Sequence, residues 1–186
     1  ALVSTRSPAV RWSFRLLLVL SMVWSSTMIA TTQNLDRLGR AAGLVDDEAY
    51  LARWISYNPV IDHLNHDLPP GSRVLFVGEP RSFYVDVPVV IEDPFHTPLL
   101  VELAAANASA EDLARSLRDL GVTHLLVNTR EMPLSARLRG VDDFWSGASS
   151  AQRAAIDELL SRWTVRTAGD PTLWVGRIRS ENERAP

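Results

Sequence analysis

Hydrophobic positions form one long stretch near the N-terminus and a series of short runs in the rest of the chain. The stretch from Leu16 to Leu35 contains no charged residue. Twenty residues of helix span about 30 Å, the thickness of the hydrocarbon core of a bilayer. Basic residues precede the stretch at Arg6, Arg11 and Arg15, and acidic residues follow from Asp36. The pattern predicts a transmembrane helix.

The charge asymmetry around this helix predicts its orientation. The excess of arginine before it places the N-terminus in the cytoplasm of an inner (plasma) membrane and the residues from about 36 onward on the extracytoplasmic side. Three interpretations stay open: a cleaved signal peptide, a single anchor helix, or the last span of a polytopic protein. Small hydroxylated residues such as Ser21, Ser25 and Thr27 favour the third, because they are tolerated where spans pack together. The sequence starts at Ala1 rather than Met, so we expect a fragment or a processed protein.

The next segment predicts a bent helix that leads to the first strand. Apolar residues recur at helical spacing at Tyr50, Leu51, Trp54 and Ile55. Asn58 is a favoured helix cap and Pro59 is tolerated at the first helical position, so the pair predicts a restart of the helix. Pro69-Pro70-Gly71 ends it.

A sheet is predicted to begin at Val74. The apolar run Val74 to Val77 is followed by a turn at Gly78-Glu79-Pro80 and by a second run that continues to Ile91. Short apolar runs bounded by Gly and Pro are typical of buried strands. Residues 123–128 predict a third strand, and the helices between make this a crossover unit with parallel strands.

Helices and a hairpin are predicted around these strands. Thr97 is the candidate cap of a short helix with Pro98 at its first position, Ser109 caps a second helix that ends before Gly121, and Ser149 or Ser150 caps a third. The polar, aperiodic sequence of residues 129–149 predicts an irregular loop. Residues 164–167 and 172–178 flank Gly169-Asp170-Pro171, which predicts an antiparallel hairpin at one edge of the sheet.

The predicted fold class is α/β: one N-terminal transmembrane helix followed by a small mixed-sheet α/β three-layer domain of about five strands. The predicted boundaries are a cytoplasmic flank and transmembrane helix at 1–35, a connecting bent helix at 36–70, an extracytoplasmic α/β domain at 71–180 and a frayed tail at 181–186.

Composition excludes several classes of function. The net charge of −3 leaves the body of the chain acidic, which argues against a nucleic-acid partner. The chain has no cysteine, so disulfides, thiolate metal sites and cysteine nucleophiles are excluded. His63 and His66 lie near Asp62 and Asp67, but they fit a solvated helix face better than a metal site, and no metal is predicted.

The candidate binding residues follow the first and third strands. If these strands are parallel neighbours, Glu79, Arg81, Asn128 and Arg130 meet at the carboxyl edge of the sheet, where ligands bind in open α/β folds. Arginine there could hold a phosphate or carboxylate, or the arginines could pair with Glu79, Asp86 or Glu131 to fix the loops. We favour the second interpretation.

No catalytic residue is predicted. The chain lacks G-x-G-x-x-G and Walker patterns and a G-x-S-x-G elbow. His124 lies inside a predicted buried strand, where it is expected to be a hydrogen-bonded core residue. No cofactor is expected in this chain.

Two segments resemble a known family. Tyr57-Asn-Pro through Leu68-Pro-Pro-Gly-Ser-Arg-Val-Leu-Phe-Val-Gly-Glu-Pro-Arg-Ser-Phe-Tyr-Val-Asp86, and Leu120-Gly-Val-Thr-His-Leu-Leu-Val-Asn128, resemble the C-terminal extracytoplasmic domain of bacterial polytopic, lipid-carrier-dependent glycosyltransferases of the protein-mannosyltransferase-like C-type fold. The resemblance covers roughly Trp12 to Ile178 and rests on structural turns.

The resemblance implies a donor of the polyprenyl-phosphate sugar type. In that family the catalytic acid lies in an early outer loop to which no position here corresponds. The chain is then expected to be a non-catalytic part of the enzyme, whose partners are the lipid membrane, the upstream membrane domain and a glycan or lipid-linked sugar. The alternative is a self-standing, membrane-anchored periplasmic binding or interaction domain.

Overall fold

The computed structural model describes residues 8–31, 39–107, 109–180 and 183. The chain divides into two compact units, Ala1–Trp54 and Ile55–Pro186. The division falls inside the segment 36–70 that the sequence predicts as a connector. Arg6, residues 32–38 with the end of the predicted apolar stretch, and all of the tail 181–186 except Glu183 lie outside the described residues.

The first unit contains the predicted apolar helix. Helix α1 spans Pro8–Thr31, and its segment Val10–Ile29 is long and apolar enough to cross a membrane. None of that segment is buried against the rest of the protein. The apolar segment starts earlier than predicted and includes Arg11 and Arg15, whose long side chains can reach the membrane interface from the end of a span. Helix α2 follows at Asp47–Trp54.

The second unit starts with a short helical segment at residues 58–67, where the sequence predicts that the bent helix restarts. One turn spans Asn58–Val60 and another spans His63–Asp67. Tyr57 rather than Asn58 precedes the first helical residue, and no side chain caps this turn, so the predicted capping role of Asn58 is wrong. Pro59 lies in the first turn, as predicted, because its missing N–H costs nothing there.

A five-stranded mixed sheet forms the centre of the second unit, as predicted. The strands are β1 Val74–Val77, β2 Val89–Ile91, β3 His124–Asn128, β4 Thr164–Gly169 and β5 Leu173–Ile178. Their order is β2-β1-β3-β5-β4. Strand β1 is parallel to β2 and β3, whereas β5 is antiparallel to β3 and β4. The predicted parallel crossover and the predicted edge hairpin are both confirmed.

Four helices accompany the sheet: α3 Leu99–Ala106, α4 Ala110–Asp119, α5 Met132–Arg139 and α6 Ser150–Arg162. Ser109 Oγ accepts the N–H of Asp112 at the start of α4, and Ser149 forms a capping box with Gln152 at the start of α6. Both predicted caps are confirmed, and Gly121 takes a positive φ of 77° after α4.

Helix α5 lies inside residues 129–149, which were predicted to be an irregular loop, so that prediction is wrong. The helix has Pro133 in its first turn and ends at Gly140, whose φ of 71° is left-handed. Its amphipathic pattern is weak because Leu134 and Leu138 are exposed. Periodicity therefore gave little sign of it, although the proline and the glycine mark its two ends.

Apolar side chains cover both faces of the sheet, which confirms the three-layer arrangement. On one face Leu75 and Val127 pack with α3, α4 and α6. On the other face Phe76 and Leu126 pack with Tyr57, whose ring meets that of Phe76 edge-on at 6.0 Å. The carboxyl ends of the three parallel strands form one edge of the sheet, between these two layers.

Candidate functional site at the carboxyl edge of the sheet

Strands β1 and β3 end side by side, with Val77 opposite Val127. Gly78 then turns the chain at a φ of 77°. A Cβ atom at this position would lie 2.7 Å from the carbonyl oxygen of Asn128 and 2.8 Å from Cγ of Met132. Only glycine permits this approach, which sets the side chain of Glu79 beside that of Asn128.

The Glu79 carboxylate lies at the centre of a buried polar cluster. Its side chain has no exposed surface. It accepts five hydrogen bonds: from Ser56 Oγ at 2.7 Å, from Asn128 Nδ2 at 2.9 Å, and from the N–H, Nε and Nη2 of Arg81 at 3.2, 2.6 and 3.1 Å. We call Ser56, Glu79, Arg81, Asn128 and Glu131 the Glu79 cluster.

Arg81 joins the cluster to the start of α5. Its Nη2 donates to Ser56 Oγ at 2.7 Å and to Glu131 Oε1 at 3.0 Å. Hydrogen bonds and charge from Glu79, with a smaller contribution from Glu131, raise the pKa of Arg81. The guanidinium is therefore permanently charged, and its side chain is 34% exposed.

Arg130 lies apart from the cluster, although it was predicted to share the edge. Its backbone N–H donates to Asn128 Oδ1 at 3.2 Å, but its guanidinium turns toward the β4–β5 hairpin. There it donates to Thr172 Oγ1 and Asp170 Oδ2, each at 2.7 Å. Three of the four predicted residues thus converge and the fourth fixes the hairpin.

The contacts of the Glu79 cluster are those of a structural clamp. With five donors around it, the carboxylate has no lone pair directed at solvent, so it is poorly placed to act as a base. A buried charge is tolerated when it is paired and hydrogen-bonded in this way. These contacts agree with the interpretation that the arginines fix the loops; ligand binding by these residues stays a prediction.

A second carboxyl lies at the end of β2. Glu92 Oε1 accepts the N–H of Leu99 at 2.9 Å, so it caps α3 in place of the predicted Thr97. Glu92 Oε2 is buried and makes no hydrogen bond within the described residues. Burial is the main cause that raises the pKa of Glu92 to about 7, against the opposing effects of backbone N–H groups and Arg139.

Glu92 faces a small, partly open cavity of about 10 Å³. Its walls include Gly78, Ser135, Arg139 and Phe144. A volume of this size holds about one water molecule, so the cavity has no room for a substrate. At this point of the carboxyl edge the structure places a carboxyl with a raised pKa beside a cavity of about one water.

Sequence reasoning missed Ser56 and Glu92. Ser56 is 72 residues from Asn128 in the chain, so no local pattern marks it. Glu92 directly follows β2, and the rule that polar residues gather at the carboxyl ends of parallel strands would have found it. The direction of β2 was not predicted from the sequence, so the rule could not be applied to this strand.

The remaining histidines make ordinary contacts. His124 is 3% exposed, and its Nδ1 lies 2.8 Å from Thr123 Oγ1, as expected for a core residue. His63 lies 3.1 Å from Asp67 and 2.9 Å from Thr167. Among residues 8–31, 39–107, 109–180 and 183, no group of three or more metal-ligating side chains converges.

Comparison of the chain with protein-family models, with curated proteins and with solved structures gives no match.

Proposed function

We propose that this chain is the C-terminal, non-catalytic region of a membrane glycosyltransferase that transfers a sugar from a polyprenyl-phosphate donor. The observation that carries the proposal is the order of parts: a membrane-length apolar helix followed by a small α/β unit with a mixed five-stranded sheet. The turns that resemble the family, at Pro70-Gly71 and at Gly121, each lead into a strand, and both glycines take the positive φ that such a tight turn requires.

The proposal gives this domain a structural part, which the close pairing of the polar groups at the carboxyl edge supports. The Glu79 carboxylate is saturated with donors and the cavity beside Glu92 holds about one water. In this proposal the chemistry belongs to the membrane part of the enzyme. The unit Ile55–Pro186 lies on the extracytoplasmic side of the inner membrane, where it contacts the upstream membrane domain and a glycan or lipid-linked sugar.

The proposal is tested with the complete protein that contains this chain, reconstituted in liposomes with polyprenyl-phosphate donors carrying labelled mannose, glucose or arabinose. We expect sugar turnover from one donor, loss of most turnover when residues 55–186 are deleted, and retention of turnover when Arg81 is replaced by Lys. Absence of turnover with all three donors would contradict the proposal.

Sidedness is tested separately with an alkaline phosphatase reporter fused after residue 180, which is active only outside the cytoplasm. We expect activity, since the arginines before α1 favour a cytoplasmic N-terminus. A second reporter, one that is active only in the cytoplasm, is fused at the same position. Activity of this second reporter would show the opposite orientation and contradict the proposal.

A second candidate is a self-standing, membrane-anchored binding domain. It is favoured by the observation that the described residues contain one membrane-length helix, followed by a unit with its own sheet and two-sided core. The same protein, purified without any upstream spans, would then fold and bind its partner without sugar turnover.

A further inference from the structure

A groove of about 260 Å³ opens between α6 and the β4–β5 hairpin, away from the Glu79 cluster. Its apolar wall includes Trp145, Leu160 and Met132. The volume is slightly below the roughly 300–1,000 Å³ typical of pockets for drug-sized molecules, so it suits a group about the size of a single ring. We call this the Trp145 groove.

The indole of Trp145 is held in a defined orientation. Its ring meets that of Phe144 edge-on, with centroids 4.7 Å apart and an angle of 80° between the planes. Phe144 is 6% exposed, whereas Trp145 is half-buried. An aromatic face is electron-rich and attracts positively polarised C–H groups, so the open part of this indole favours an aliphatic ring.

The opposite wall carries a positioned hydrogen-bond donor. The Arg166 guanidinium lies over the Trp174 ring, 4.7 Å from its centroid, and Trp174 is 3% exposed. Stacking on a buried aromatic ring holds the planar guanidinium while its N–H groups stay directed outward.

Acceptors complete the edge of the groove. The Asp157 carboxylate lines it, together with the hydroxyls of Thr129 and Ser161. Those hydroxyls already donate their protons, to the carbonyl oxygens of Thr172 at 3.0 Å and of Asp157 at 2.6 Å. They are therefore left with acceptor lone pairs.

We propose that the Trp145 groove binds a pyranose ring of a glycan. A sugar has an apolar C–H face for Trp145 and hydroxyls that both donate and accept, which matches the guanidinium on one wall and the carboxylate on the edge. A phosphate or carboxylate ligand would meet the charge of Asp157, and a lipid chain would leave Asp157 and Arg166 unpaired. A neutral polyhydroxylated ring can pack on Trp145, accept hydrogen bonds from Arg166 and donate them to Asp157.

The inference deepens the proposed function by giving the domain a glycan to hold, and it is tested without sugar transfer. The complete chain, labelled with ¹⁵N-tryptophan in phospholipid nanodiscs, is titrated with the methyl pyranosides of mannose, glucose, galactose and N-acetylglucosamine. Detergents with sugar headgroups are avoided because they would compete. We expect a saturable shift of the Trp145 indole N–H signal for at least one sugar, with Kd of the order of 1 mM.

Three variants sharpen the test. Asp157→Asn and Arg166→Met should each weaken binding about tenfold, and the matched control Asp142→Asn, exposed and outside the groove, should leave it unchanged. Thermal unfolding of each variant checks that it folds. Cyclohexylmethanol, a ring of similar size with one hydroxyl, should not bind at the concentrations at which the sugars bind.

The inference is overturned if none of the four sugars gives a saturable shift, or if cyclohexylmethanol binds as well as they do. Sugar binding without transferase activity in the complete protein would remove the proposed function and leave the inference standing. Transferase activity without a shift of the Trp145 signal would remove the inference and leave the proposed function standing.

Discussion

Two buried carboxyls lie at the ends of neighbouring strands, and their surroundings differ. Glu79, after β1, is surrounded by five hydrogen bonds that include three from Arg81. Glu92, after β2, accepts the Leu99 N–H on one oxygen, and its other oxygen makes no hydrogen bond within the described residues. Burial is tolerated in the first case because a cation accompanies the charge, whereas in the second it shifts the carboxyl toward its neutral form.

The largest expected effect comes from breaking the better-paired site. Glu79→Ala removes the carboxylate that pairs with Arg81 and accepts from the buried Asn128 amide, and removal of one partner of a buried pair costs about 3–5 kcal/mol. The free energy of unfolding of the chain in nanodiscs, measured in urea by tryptophan fluorescence, should fall by that amount. Glu111→Ala, at an exposed ion pair with Arg115, serves as the control and should change little. A loss below about 1 kcal/mol would show that the cluster is not a clamp.

Glu92 is expected to make stability depend on pH. Its pKa is about 7 in the folded chain and 4.5 when exposed, so the folded state binds more protons than the unfolded state between these values. Stability should therefore fall as pH rises from 4.5 to 7, by about 2–3 kcal/mol at about 1.4 kcal/mol per pKa unit.

The matched variant is Glu92→Gln, which keeps an oxygen for the Leu99 N–H and cannot ionise. The difference in unfolding free energy between the native chain and this variant isolates Glu92 from other titrating groups, such as His124, whose pKa is lowered by burial and acts in the opposite direction. A difference that stays constant from pH 4.5 to 8 would contradict the account of Glu92.

A smaller effect is expected at Ser56, which touches three members of the Glu79 cluster. Ser56→Ala removes one donor to Glu79 and one acceptor for Arg81 and Asn128. The loss of buried hydrogen bonds should cost about 1–2 kcal/mol in the same urea experiment. Ser161→Ala removes an exposed hydroxyl that bonds only to carbonyls of its own helix, and it should be neutral. Equal effects of the two substitutions would separate Ser56 from the cluster.

The smallest effect is expected at Arg130. Its guanidinium is half exposed and pairs with Asp170 on the hairpin instead of Glu79. Arg130→Ala should leave the unfolding midpoint within experimental error, because exposed ion pairs contribute little and are screened by salt. A loss comparable to that of Glu79→Ala would place Arg130 inside the clamp after all.

The sequence predicted the meeting of Glu79, Arg81 and Asn128 because a crossover unit makes β1 and β3 parallel, and parallel strands end at one edge. It could not predict the turn of Arg130 toward Asp170, since the choice between two carboxylates depends on side-chain distances. Ser56 was missed because its contact with Asn128 joins residues that are 72 positions apart in the chain. Helix α5 was missed because Leu134 and Leu138 face outward and blur its periodicity.

The most direct test of the central claim is the DNA sequence upstream of the codon for Ala1. The account predicts an open reading frame that continues upstream through many apolar spans, with an acidic residue in the first outer loop. A start codon immediately upstream of Ala1 would leave a protein with a single span, which would contradict the glycosyltransferase proposal and favour the anchored binding domain.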